Sequence, residues 1–152
     1  MMIENCIHRQ MELISNDNCY VHRIVQTRQG DTAILYSPNK GFDIHARIVF
    51  ASGIATKRHQ NDLNMYITSI EGRCAWNLQY IRILGEKINQ GYGSLMMEQL
   101  LTRAVEANIR HIEGRMQAAE HKEHLERLRH FYTKFGFTID EQNRIHWTNN
   151  NF

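Results

Sequence analysis

Residues 75–107 read AWNLQYIRILGEKINQGYGSLMMEQLLTRAVEA, and one stretch passes here from an extended apolar run through a glycine pair into an amphipathic helix. Ile81, Ile83 and Leu84 close a segment rich in β-branched and aromatic side chains. Leu95, Met96, Leu100, Leu101, Ala104 and Val105 then recur with the helical period of about 3.6 residues. The change of period falls between Gly85 and Gly93. Gly91 and Gly93 flank Tyr92 where the helix must begin, so amide N–H groups without intrahelical partners can converge there on a bound anion. The order strand, anion-binding loop, helix suits a phosphate.

Downstream, residues 130–137 read HFYTKFGF. Taken with the run from Ile83 through Leu101, this segment resembles the GNAT family of N-acetyltransferases, and the two segments occur in the family's order. The resemblance covers roughly the C-terminal half. It implies an α/β fold, a mixed, mostly antiparallel sheet flanked by helices, of the acyl-CoA N-acyltransferase type. It also implies acetyl-CoA as acyl donor, held at the pyrophosphate by main-chain amides of Gln90, Gly91, Tyr92, Gly93 and Ser94, with Ile81 and Ile83 contacting the pantetheine arm through the main chain. Tyr132 becomes the residue that faces the sulfur and protonates the leaving thiolate. Two positions depart from the pattern: Ile88 stands where the loop usually begins with Gln or Arg, and Leu125 where an asparagine often precedes the tyrosine. The first change spares main-chain contacts; the second removes a polar contact to the pantetheine.

The remaining chain fits one domain over residues 1–152, long enough to bury a core without disulfide or metal staples. Apolar residues at 42% and charged residues at 22% are an ordinary globular balance, and a net charge of +2 gives no support to nucleic-acid binding. Cys6, Cys19 and Cys74, odd in number and without pattern, read as reduced thiols, which points to the cytoplasm. No segment has the run of about 18 apolar residues that spans a bilayer, and the N-terminus lacks the apolar core of a secretory signal, so no membrane association is expected.

Short runs of Val, Ile, Tyr and Phe predict strands over 20–26, 32–36, 44–51, 63–70 and 75–84, with a hairpin turn at Glu71-Gly72-Arg73. The family normally places one or two helices after its first strand, yet no long helical period is present there; the early helical candidate is residues 4–14. A helix over 94–107, a strand over 109–116 and a helix over 122–135 follow, the last carrying Leu125, Leu128, Phe131, Tyr132 and Phe135 on one face with Gly136 as its C-cap. A terminal hairpin is expected from 137–139 and 144–148, turned at 140–143.

Acetyl transfer to an amine of pKa about 10 needs a group that removes the ammonium proton. Asn77 lies where histone-type relatives carry a strand glutamate, and an amide cannot serve. Glu113 and His111 share one strand face, and Glu113 is the candidate base, against the plainer reading of a solvated face. Tyr132 has its own plain alternative as a core aromatic. His121 and His124 have helix-compatible spacing but no third ligand, so no metal is expected. The acceptor, a small molecule or a protein amine, is not legible. The oligomeric state, a homodimer included, stays open. A non-catalytic CoA-binding regulator or interaction protein on the same fold is the competing function.

Overall fold

The computed structural model describes residues 3–27, 29–82, 91–116 and 122–151. In chain order these form α1 (Ile3–Asn16), β1 (Cys19–Gln26), β2 (Thr32–Pro38), β3 (Ile44–Val49), β4 (Leu63–Ser69), β5 (Ala75–Arg82), α2 (Tyr92–Glu106), β6 (His111–Arg115), α3 (Lys122–Lys134), β7 (Thr138–Ile139) and β8 (Arg144–Thr148). The strands make one sheet in the order β1-β2-β3-β4-β5-β6-β8-β7. Every pairing is antiparallel except β5 with β6.

Alternation along β2 explains the layering. Ala33 and Leu35 belong to the large core with Met96, Met97, Leu100 and Ala104 of α2, whereas Ile34 and Tyr36 pack with Cys6 and Ile14 of α1. Successive side chains of a strand point to opposite faces, so α1 and α2 cover the sheet from its two sides. All six residues of β3 are accordingly buried, each large apolar one contributing on the order of 1.5–3 kcal/mol.

On the α1 face this burial includes charge. Arg47 is held by Asp62, with Nη2 donating to Oδ2 at 3.0 Å, and the two side chains are 7% and 0% exposed. Asp62 also accepts from the Tyr36 hydroxyl and from Thr56 Oγ1 at 2.6 Å, so its lone pairs are spent inside the protein. Burial and the Asp62 charge together push the Tyr36 phenol far above its usual range. The segment that carries Thr56 and Asp62 is thereby tied to the sheet.

Several element ends differ from the sequence expectation for local reasons. The strand expected over 44–51 stops at Val49, where Gly53 N donates to Phe50 O and turns the chain. Ile109 lies outside β6, because its N–H donates to Ala104 O at 2.8 Å and Asn108 takes a left-handed φ of 56°. Those bonds close a Schellman motif at the end of α2. The α2 helix itself begins at Tyr92, two residues earlier than its apolar period suggests. The first helix runs to Asn16, and β1 and β2 are joined by a tight turn in which Thr27 N donates to Asp31 O. No helix separates those two strands, as the missing helical period indicates.

Candidate functional site

β5 and β6 run side by side for four residue pairs, the last being Leu78 with Gly114. Beyond it they separate. β5 continues to Arg82 against β4 alone, with Ile81 opposite Met65, while Arg115 of β6 pairs with Arg144 of β8. A register shift in the β4–β5 ladder between Tyr66 and Ile67 accompanies the parting. In an antiparallel ladder alternate main-chain groups point away from the partner strand. Past Leu78 those outward groups of β5 face the gap that β6 has left.

The start of α2 lies at the same end of the sheet. Gly91 is its N-cap with φ 83° and ψ 1°, a left-handed conformation suited to glycine, and no side chain among the described residues caps the helix. A Cβ at Gly91 would meet no described residue within 4 Å beside the first turn. The N–H groups of Tyr92, Gly93 and Ser94 have no intrahelical acceptor at these positions and carry the positive end of the helix dipole. The Tyr92 side chain is 1% exposed and belongs to the core. Its phenol is pushed up by burial and by the Asp31 charge. Of Tyr92, therefore, only the main chain can meet an anion. Gln90 and Ile83 lie outside the described residues, and so does Ile88.

Tyr132 sits in the last turn of α3. Gly136, with φ 89°, ends the helix as the sequence indicates, and Phe137 N donates to Tyr132 O at 3.1 Å. The Phe137 ring packs edge-on to Tyr132 with centroids 5.4 Å apart, the apolar contact that accompanies a Schellman ending. Tyr132 is 5% exposed, and burial pushes its pKa up to about 12. The phenol is thus neutral and retains its proton throughout the physiological range.

Glu113 lies on the opposite face of the sheet from the α2 and α3 core. It sits in a cleft of about 580 Å³ whose lining includes Asn77, Gly114, Arg115, Asp140, Arg144 and His146. Register aligns Asn77, Glu113, His146 and Thr138 in one row across β5, β6, β8 and β7. Glu113 Oε1 accepts from Arg73 Nη2 at 2.8 Å, so the candidate base is already ion-paired. His111 stacks on His146 with ring centroids 4.9 Å apart. Arg144 Nε donates to Asp140 Oδ2 at 2.7 Å, and two backbone N–H groups also bond Asp140, whose carboxyl they hold below its usual range.

The cleft brings Asn77 and Glu113 together, while Tyr132 belongs to the other side of the sheet. The strand period places Arg115 on the face of Glu113, but sequence reasoning missed Arg144 and His146 as its neighbours; the period-two alternation of residues 144–148 is the one signal that could have placed His146 beside a polar face. Among the described residues no group of three or more His, Cys, Asp or Glu is placed to hold a metal. His121 lies outside the described residues. No helix among them is long and apolar enough to cross a membrane.

Neither a sequence-family model nor a curated protein sequence matches the chain. Solved structures do. A cAMP-binding acyltransferase from Mycobacterium smegmatis is 11% identical, with a TM-score of 0.57 over 93% of this chain and 52% of that one, so the chain spans about half of that protein. Weaker likenesses, both with a TM-score of 0.47, extend to two acetyltransferases. One is the PaiA N-acetyltransferase from Thermoplasma acidophilum in complex with coenzyme A, 13% identical over 70% of this chain and 60% of that one. The other is a GNAT-family acetyltransferase from Staphylococcus aureus, 15% identical over 71% and 68%.

Proposed function

We propose that this chain, whose fold is of the GNAT type, is an acetyl-CoA-dependent N-acetyltransferase acting on a primary amine. The observation that carries the reading is the parting of β5 from β6 at Leu78 and Gly114, at the sheet end where α2 presents an uncapped first turn. The amides of Gly91, Tyr92, Gly93 and Ser94, with Gln90 before them, bind the diphosphate; a left-handed glycine that no described residue crowds fits that group. Main-chain groups of Ile81 in β5, and of Ile83 after it, bond the pantetheine arm. Acetyl-CoA supplies a thioester whose acyl carbon accepts a nitrogen lone pair.

In the reaction one N–C bond forms and one C–S bond breaks. From the cleft face Glu113 takes the proton that the ammonium must lose, on Oε2 or after releasing Arg73; from the opposite face of the sheet, across the gap between β5 and β6, Tyr132 protonates the departing thiolate and recovers its proton through water from the acylated nitrogen. A phenol kept protonated by burial suits that second role. The same Arg73 contact favours the second reading, a CoA-binding regulator or interaction protein without turnover, because it occupies one oxygen of the candidate base.

Calorimetry with CoA tests the donor site. Gly91→Asp puts a negative charge beside the diphosphate position, and the expected result is a folded variant that no longer binds. Unchanged affinity would overturn the assignment. Mass spectrometry of an amine panel incubated with acetyl-CoA separates the two readings: tight CoA binding without acetylation of any amine gives the lead to the regulator.

A further inference from the structure

The charged residues that line the Glu113 cleft, Glu113, Asp140, Arg115 and Arg144, sum to zero, but Glu113 is taken up by Arg73 from outside the lining. Glu113 is paired to Arg73 at 2.8 Å, and Asp140 to Arg144 at 2.7 Å. Arg115 lines the same cleft and makes no ion pair with any described residue. Its cross-strand neighbour is Arg144, whose own counter-ion is Asp140, whereas no described residue pairs with Arg115. Among the described residues Arg115 is thus the charge of this lining left without a counter-ion, in a cleft of about 580 Å³ that adjoins the last β5–β6 pair. A single carboxylate matches it in charge and in the two-pronged geometry a guanidinium offers.

Glu113 and Arg115 are two apart on one strand, so they project from the same face about 7 Å from each other. A carboxylate acceptor and a guanidinium donor at that spacing match the two ends of a zwitterion. We propose that this cleft receives the acceptor, and that the acceptor carries a carboxylate beside its amine, as a free amino acid does. Arg115 bonds the carboxylate, and the amine is left against Glu113 and Asn77 at the mouth of the strand gap. The inference rests on the acetyl-transfer reading for the reaction but not for the binding.

The test uses the full chain, the twenty common L-amino acids and the α-carboxamide of each, titrated and followed by amide NMR, then the same compounds with acetyl-CoA followed by mass spectrometry. At least one amino acid is expected to shift the Glu113, Arg115 and His146 amides and to bind about tenfold to a hundredfold tighter than its amide, the size of one charge-assisted hydrogen-bonded contact. Arg115→Gln should collapse that ratio toward one, and Arg115→Lys should retain part of it. Circular dichroism confirms the fold of each variant.

Equal affinity for acid and amide, absence of any amino-acid binding, or an undiminished preference in Arg115→Gln would overturn the proposal. The two readings fail separately. Carboxylate preference in binding with no acetylation leaves the cleft as proposed and removes acetyl transfer; acetylation of amines without such preference does the reverse.

Discussion

Leu78 and Gly114 are the last residues that β5 and β6 hold side by side, and a Cβ at position 114 would lie 2.5 Å from the Leu78 carbonyl oxygen. That oxygen is backbone and cannot swing aside. Two side-chain carbons of Ile145 would be 3.3 Å away as well. Glycine at 114 is therefore what lets the strands approach so closely before they part.

Gly114→Ala should separate the strands or strain them, lowering stability by about 1–3 kcal/mol. A fall in the urea midpoint with an unchanged slope is the expected observation. If the midpoint stays put, the contact at 2.5 Å relaxes at no cost and the strand gap does not depend on glycine.

Tyr132→Phe keeps the ring that packs on Phe137 and deletes the hydroxyl. The fold and CoA affinity should be retained while kcat falls by a factor on the order of 10². Equal kcat values, measured where chemistry limits turnover, would return Tyr132 to a packing role.

Asp62→Ala removes the partner of a buried guanidinium and two hydroxyl bonds at once. An uncompensated buried charge costs about 3–5 kcal/mol, so this variant should lose far more stability than Asp140→Ala, whose ion pair is largely exposed. Comparable denaturation midpoints for the two would show that Arg47 finds water when Asp62 is gone.

His22 is half-buried and bonded to Ser37 Oγ at 2.7 Å; burial first, and the Arg103 charge second, bring its pKa from 6.5 down to about 4. Between those values the unfolded chain binds a proton that the native one does not, so stability present above pH 6.5 is lost as pH falls toward 4. Burial of His45 acts in the same direction. Thermal melts should show this decline, and His22→Gln should make it shallower; an identical pH profile for the variant would assign the decline to other groups.

The helices, and the glycines that mark the start of α2 and the end of α3, were legible because their signals are local. The helical period of residues 95–105, the glycine before Tyr92 and the glycine at 136 each act within one or two turns, and all three reappear as α2, its uncapped N-terminus and the end of α3. The strands before them were legible for the same reason, down to the turn at Gly72, whose φ of 76° is one that glycine takes readily. A resemblance of two short segments to the acetyltransferases supplied the fold type, since their order along the chain fixes the strand, loop and helix sequence.

Tertiary structure alone decided what stands opposite what. Arg73 meets Glu113, and Asp62 meets Arg47 and Tyr36, across stretches of chain that share no pattern. That Arg115 has no ion-pair partner among the described residues emerges only after register brings β8 against β6 and Asp140 neutralises Arg144. Period and composition act over a few residues, whereas charge pairing and strand register are set by which distant segments a common core draws together.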